Sequence, residues 1–162
     1  MIEPGPANRY QVEHAERLRH TFHALTGHDL IDPTLSPEAA AEALFHAPFV
    51  ILSHNAAADP ILTYGNRAAL ELFALTWEKL IQMPLRLTAE APNRAERARL
   101  LAEVTTRGFI DDYSGVRIAR TGRRFLIQRA TVWNLTDDQG RLCGQAATFR
   151  EWRYVEDAAL EL

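Results

Sequence analysis

The chain has 162 residues, 47% hydrophobic and 24% charged, with a formal net charge of −3; at this size folding buries about 69% of the unfolded surface, enough for one core. These fractions exclude disordered, collagen-like and rod-like chains, and the weakly acidic balance excludes a nucleic-acid or anionic-membrane binder acting through its net field. Lys79 is the only lysine beside seventeen arginines, and Cys143 is the only cysteine, so no internal disulfide forms and no oxidising compartment is marked.

No apolar run approaches the ~20 residues of a membrane helix, the first residues lack the layout of a secretion signal, and a cytoplasmic protein is expected. In chain order, Val12, Ala15, Leu18, Phe22 and Leu25 recur at helical spacing, predicting an amphipathic helix over Tyr10 to Leu25 that Gly27 stops. Ser36, Pro37 and Glu38 then supply a cap, a first-turn proline and an acid at the positive end of a helix reaching about His46. The period changes at Phe49 to Leu52 and at Ile61 to Tyr64, two short strands.

Asn66 caps a helix over Arg67 to Leu75, and Thr76 caps a shorter one carrying Trp77, Leu80 and Ile81. Asn93 and Glu96 have capping-box spacing at the head of a helix running to Arg107, with Gly108 beyond it. Three strands follow, Phe109 to Ala119, Arg123 to Leu135 and Leu142 to Trp152. In the second, Phe125, Ile127, Thr131, Trp133 and Leu135 share one parity and Arg129 breaks it, through a bulge or by turning its guanidinium to a polar interior. The order predicts an α+β domain with an antiparallel sheet of about five strands covered on one face by short helices.

That order resembles the PAS fold, and the local wording resembles the MEKHLA domain, a PAS-related family. The resemblance lies in Ala47-Pro48-Phe49, Ser53-His54, Asp59-Pro60-Ile61, Tyr64-Gly65-Asn66-Arg67-Ala68-Ala69-Leu70-Glu71-Leu72-Phe73 and Trp77-Glu78. It continues through Gly108-Phe109-Ile110, Tyr113-Ser114-Gly115-Val116-Arg117-Ile118, Gly122-Arg123-Arg124-Phe125, Val132-Trp133-Asn134-Leu135 and Gly144-Gln145-Ala146-Ala147-Thr148-Phe149, and Leu85 departs from it. It implies a PAS-like core over 48–153, preceded by a helical extension over 1–47 and followed by a tail over 154–162. It also implies a regulatory or sensory role rather than catalysis, with signalling through an unidentified protein partner.

Residue types narrow the chemistry. The resemblance places the reactive cysteine of flavin photosensors on a helix before the last strands, and the helices from Arg67 to Arg107 have none; it places a haem ligand in mid-fold, and all six histidines precede that region. No cofactor is expected. His20 and His23 share a helix face without a third ligand, so no metal is expected. Adjacent strand residues point to opposite faces, so Ser53 and His54 do not form a nucleophile and base, and His54 is assigned a structural hydrogen bond. Asp111, Asp112 and Tyr113 could supply the general base of a small cavity enzyme only if a carboxyl were buried.

The arginines offer the ligand hypothesis, since a guanidinium grips a carboxylate bidentately. Arg86, Arg117, Arg124 and Arg129 fall in the helix-to-sheet loop or on strands, whereas Arg94, Arg97 and Arg99 read as an exposed helix face. With Tyr113, Trp133 and Gln145 they form the candidate ligand-binding set for a small anionic molecule. The first helix, outside the core, is expected to serve either as a homodimer surface or to be buried against the protein's own sheet. A ligand-free protein-interaction module with a filled core, and the cavity enzyme, are the rival readings.

Overall fold

A computed structural model describes residues 2–155; the expected tail over 154–162 lies outside the described residues from 156 onward. Helix α1 (Val12–Thr26) ends at Gly27 in the left-handed region (φ 76°), and α2 (Pro37–Phe45) begins where Ser36 Oγ accepts from the Ala39 amide. Strands β1 (Val50–Asn55) and β2 (Leu62–Gly65) pair antiparallel. Helices α3 (Arg67–Phe73) and α4 (Trp77–Leu80) follow, and a 3₁₀ turn over Leu85–Thr88 leads to α5 (Ala91–Arg107). The chain closes with β3 (Phe109–Ile118), β4 (Arg124–Thr136), β5 (Leu142–Phe149) and β6 (Glu151–Tyr154).

The strands form one antiparallel sheet in the order β2-β1-β5-β4-β3, with β6 also pairing with β4. Two boundaries differ from expectation. The last predicted strand breaks at Arg150 into β5 and β6, which pair with successive stretches of β4, Thr131 to Thr136 and Phe125 to Gln128. Helix α5 starts at Ala91 with Glu90 as its N-cap and no side-chain cap, so Asn93 lies inside it and no Asn93–Glu96 capping box forms.

Arg129 is a bulge, at φ 54°. One extra residue inverts the alternation of a strand. Phe125, Ile127 and Ala130 therefore join the core beneath α3, Val132 meets α5, and Trp133 and Leu135 pack on the opposite face against Leu18 and Phe22 of α1. The shared parity of Phe125 and Trp133 in sequence is real, and it conceals two faces.

The sheet is covered on both sides. Ala15 and Leu18 of α1 are fully buried, the ring of Phe22 stands edge-on to Trp133 at 5.0 Å, and Trp133 Nε1 donates to Thr21 Oγ1 at 2.9 Å. The apolar stripe that suggested a dimer surface is thus spent on the protein's own sheet. Asn66, fully buried, ties the layers together: its Oδ1 accepts from the Ile51 and Ala69 amides, both at 3.1 Å, and its Nδ2 donates to the Leu44 and Phe49 carbonyls at 3.0 and 2.8 Å.

Candidate functional site

Between α5 and the sheet lies a cavity of about 60 Å³. Its walls are apolar: Leu52, Phe73, Leu85, Leu100, Ile127, Val132 and Phe149. Four large polar side chains interrupt them, Arg97 from α5, His54 from β1, and Tyr113 and Arg117 from β3, with the smaller Thr88 beside Arg97 and Ser53 beside His54. Larger depressions, such as one of 400 Å³ between α3 and the end of β6 lined by Arg67 and Glu71, lie open on the surface.

Arg97 continues the inward stripe of α5, three and four residues before Leu100 and Leu101 and seven before Val104. It is only 6% exposed. Its Nη1 donates to the Leu85 carbonyl at 2.6 Å and to Thr88 Oγ1 at 2.9 Å. Those partners are neutral, and burial together with the Arg117 and Arg94 charges pushes its pKa down to about 10. Arg117, 7% exposed, donates from Nη1 to the Val116 carbonyl at 2.8 Å and from Nη2 to the Tyr113 hydroxyl at 3.1 Å. The Tyr113 hydroxyl in turn donates to Glu96 Oε2 at 3.1 Å, at the exposed rim.

His54 is 8% exposed. Its Nδ1 lies 2.8 Å from the Asn55 carbonyl, an acceptor, so Nδ1 carries the hydrogen and Nε2 is left as an acceptor. Burial, with the Arg97 charge nearby, holds its pKa below the ordinary range and the ring neutral. Nε2 is buried and meets no partner among the described residues; the Tyr64 hydroxyl, on the opposite face, is the other such atom. Gln145, 5% exposed, sits on the cavity face of β5 but is committed to holding α5, with its Nε2 on the Leu101 carbonyl at 3.1 Å and on Thr105 Oγ1 at 3.0 Å.

Of the residues singled out in sequence, the fold brings Tyr113 and Arg117 to the cavity. Arg86 instead forms an exposed ion pair with Asp59 at 3.4 Å. Arg124 clamps Glu90 at the head of α5 through Nε at 2.5 Å and Nη2 at 3.0 Å. Arg129 points outward toward Glu151 at 3.6 Å, and Trp133 belongs to the α1 face because of the bulge. Asp111 and Asp112 are exposed, which removes the buried carboxyl that a cavity enzyme would need. Among the described residues no group of three His, Cys, Asp or Glu is placed to hold a metal ion.

Arg97 and His54 were assigned elsewhere by their residue type. The signals that locate them are periodic: Arg97 falls in register with the apolar stripe of α5, and His54 shares the parity of Val50 and Leu52 on β1.

A five-strand antiparallel path with short helices across one face and a small polar-studded cavity between α5 and the sheet defines a PAS-type fold. The chain is similar to a PAS domain from Colwellia psychrerythraea, with a TM-score of 0.60 at 13% identity over 73% of this chain and 95% of the other. It is also similar to an RNA-binding Light-Oxygen-Voltage receptor, with a TM-score of 0.57 at 17% identity over 74% of this chain and 34% of that one. Within that class the match is to the MEKHLA domain, over residues 12–154, and the chain belongs to that family.

Curated relatives include the homeobox-leucine zipper proteins HOX29 of Oryza sativa, 26% identical over 68% of this chain, and ATHB-14 of Arabidopsis thaliana, 28% identical over 80% of it. The chain spans only 13% and 16% of the lengths of those relatives. Among the described residues no helix is long and apolar enough to cross a membrane.

Another Light-Oxygen-Voltage neighbour, 14% identical, is described with a flavin analogue. The residues here do not fit a flavin. Cavities for ligands of that size run to about 300 Å³ or more, against about 60 Å³ here. Cys143, on β5, packs with the cluster on the α1 face, not in the cavity.

Proposed function

We propose that this MEKHLA domain is a non-enzymatic sensory module that takes a small molecule into the cavity between α5 and the sheet and reports its presence through contacts with another protein. The observation that carries the reading is the convergence of four large polar side chains on a mainly apolar cavity, one of them the buried His54 with an unmet acceptor. Buried polar groups are normally hydrogen-bonded. An apolar enclosure with a few placed polar groups is the usual form of a small-ligand site.

The cavity lies under α5, and Gln145, Asn134 and Arg124 all fasten that helix to the sheet. A ligand that changes the spacing of α5 from the sheet therefore changes the outer surface of that helix. Native mass spectrometry of protein purified from its own source tests the reading: a non-covalent adduct lost on denaturation is expected. Protein of bare mass, with no thermal stabilisation by any member of a metabolite panel, overturns it, since binding to the folded state alone must stabilise it.

The small volume favours a second reading, a ligand-free interaction module with a nearly filled core, which that bare-mass result would support.

A further inference from the structure

We propose that the molecule the cavity takes is a short hydroxycarboxylate, its carboxylate held by Arg97 and Arg117 and its neighbouring hydroxyl donating to His54 Nε2. The inference rests on the sensory reading above and names the ligand class for that same cavity.

The anion follows from the two guanidiniums. Both are more than nine-tenths buried and line one cavity, and every hydrogen bond described for either goes to a carbonyl or a hydroxyl. Buried charges are ordinarily paired with an opposite charge. The carboxylate on their fringe, Glu96, is exposed and bonded to the Tyr113 hydroxyl; its charge offsets the burial and mutual repulsion of the arginines only in part, and the remainder is left for a ligand to neutralise. The donor follows from His54: its ring is neutral, its Nδ1 hydrogen goes to Asn55, and an acceptor in that position selects a ligand hydroxyl or amine. An ammonium beside two arginines is repelled, which leaves the hydroxyl.

Size and walls complete the class. At roughly 10–15 Å³ for each water-sized group, the 60 Å³ cavity holds about four to six non-hydrogen atoms, the size of glycolate or lactate. Phe73, Leu100 and Phe149 in the walls favour a carbon skeleton over an inorganic oxyanion.

Titration calorimetry of the whole protein with glycolate, L-lactate, propionate, propane-1,2-diol and inorganic phosphate tests this. Lactate or glycolate is expected to bind about tenfold more tightly than propionate, the worth of one buried hydrogen bond, with no heat from the diol. Arg117→Gln is expected to weaken lactate binding by tenfold or more. His54→Leu is expected to bring lactate down to the propionate level while leaving propionate unchanged, a readout that simple loss of packing does not produce. Arg97→Gln is expected to weaken lactate binding likewise, and Arg97→Lys, which keeps the charge, covers the case in which Arg97→Gln does not fold and is expected to bind less tightly than the parent.

Three results overturn the ligand class: diol or phosphate binding as well as lactate, an unchanged lactate-to-propionate ratio in His54→Leu, or a neutral molecule found in the protein by native mass spectrometry. Each of these leaves the cavity a ligand site. Silence to every compound, with protein of bare mass, overturns both the class and the sensory reading.

Discussion

The Tyr113 hydroxyl and Arg117 Nη2, 3.1 Å apart, meet along β3 directly above Gly115, a residue that has no side chain to keep them apart. A Cβ built there overlaps the Tyr113 hydroxyl and comes within 3.1 Å of Arg117 Nη1. The glycine therefore shapes the cavity wall without lining it, because it lets Tyr113 and Arg117, two residues on either side of it, close over the same face.

Gly115→Ala is expected to displace Tyr113 and cost about 1–3 kcal/mol of stability, the usual range for an overpacked position. Chemical denaturation checks the value. In a Tyr113→Ala background the same substitution should cost much less; an equal cost in both backgrounds would show that the tyrosine is not what the glycine accommodates.

His14 on α1 shares a hydrogen bond with Ser53 Oγ at 3.0 Å, and its ring lies 5.2 Å from that of Tyr64. Burial, with the Arg17 charge, pushes its pKa from 6.5 down to about 4. Unfolding therefore takes up a proton between those values. Stability should fall as pH drops from about 6.5 and level off below about 4, a total on the order of 3 kcal/mol. Buried His54 shifts in the same direction. His14→Gln should flatten most of this slope in denaturation curves taken at several pH values, and an unchanged slope would assign it to other groups.

Asn66 answers four backbone groups from three segments. Asn66→Ala leaves them buried and unmet, a loss of about 3 kcal/mol or more, which in a chain of this length lowers Tm by roughly 6–12 °C. Calorimetry measures it directly; a shift of only a degree or two would mean that water replaces the amide.

Arg129 adopts φ 54° with an exposed side chain. Arg129→Gly should be neutral or stabilising by up to about 1 kcal/mol, since glycine enters the left-handed region freely. Deleting the residue should instead abolish the cooperative transition, because every side chain on one half of β4 would then face the wrong layer. A deletion variant that still melts cooperatively would contradict the assignment of the bulge.

Most of the element order was legible because caps and periods are local: Ser36, Asn66 and Thr76 each cap the helix they announce. What escaped was set by distant pairings. The break at Arg150 divides two strands that both pair with β4, and no local residue pattern marks it. The start of α5 moved because Glu90 is held by Arg124, a contact between residues far apart in sequence.

For the site, residue type misled where position would have served. Arg129 was chosen for its place on a strand, and the bulge turns it outward; Trp133 shares the parity of Phe125 in sequence, and the bulge moves it to the other face. Arg97 was read as surface because it is charged, although it stands in the stripe of Leu100, Leu101 and Val104 that turns inward. Arg117 was chosen as an arginine on a strand and Tyr113 for its residue type; the structure puts both on one parity of β3, facing the cavity.

The two-sided sheet has one more consequence, at β1. Ser53 touches His14 and the outer helix, and His54, the next residue, lines the cavity; the ladder between β1 and β2 is also irregular between these two positions. A single peptide unit therefore separates a side chain on the cavity from one hydrogen-bonded to α1.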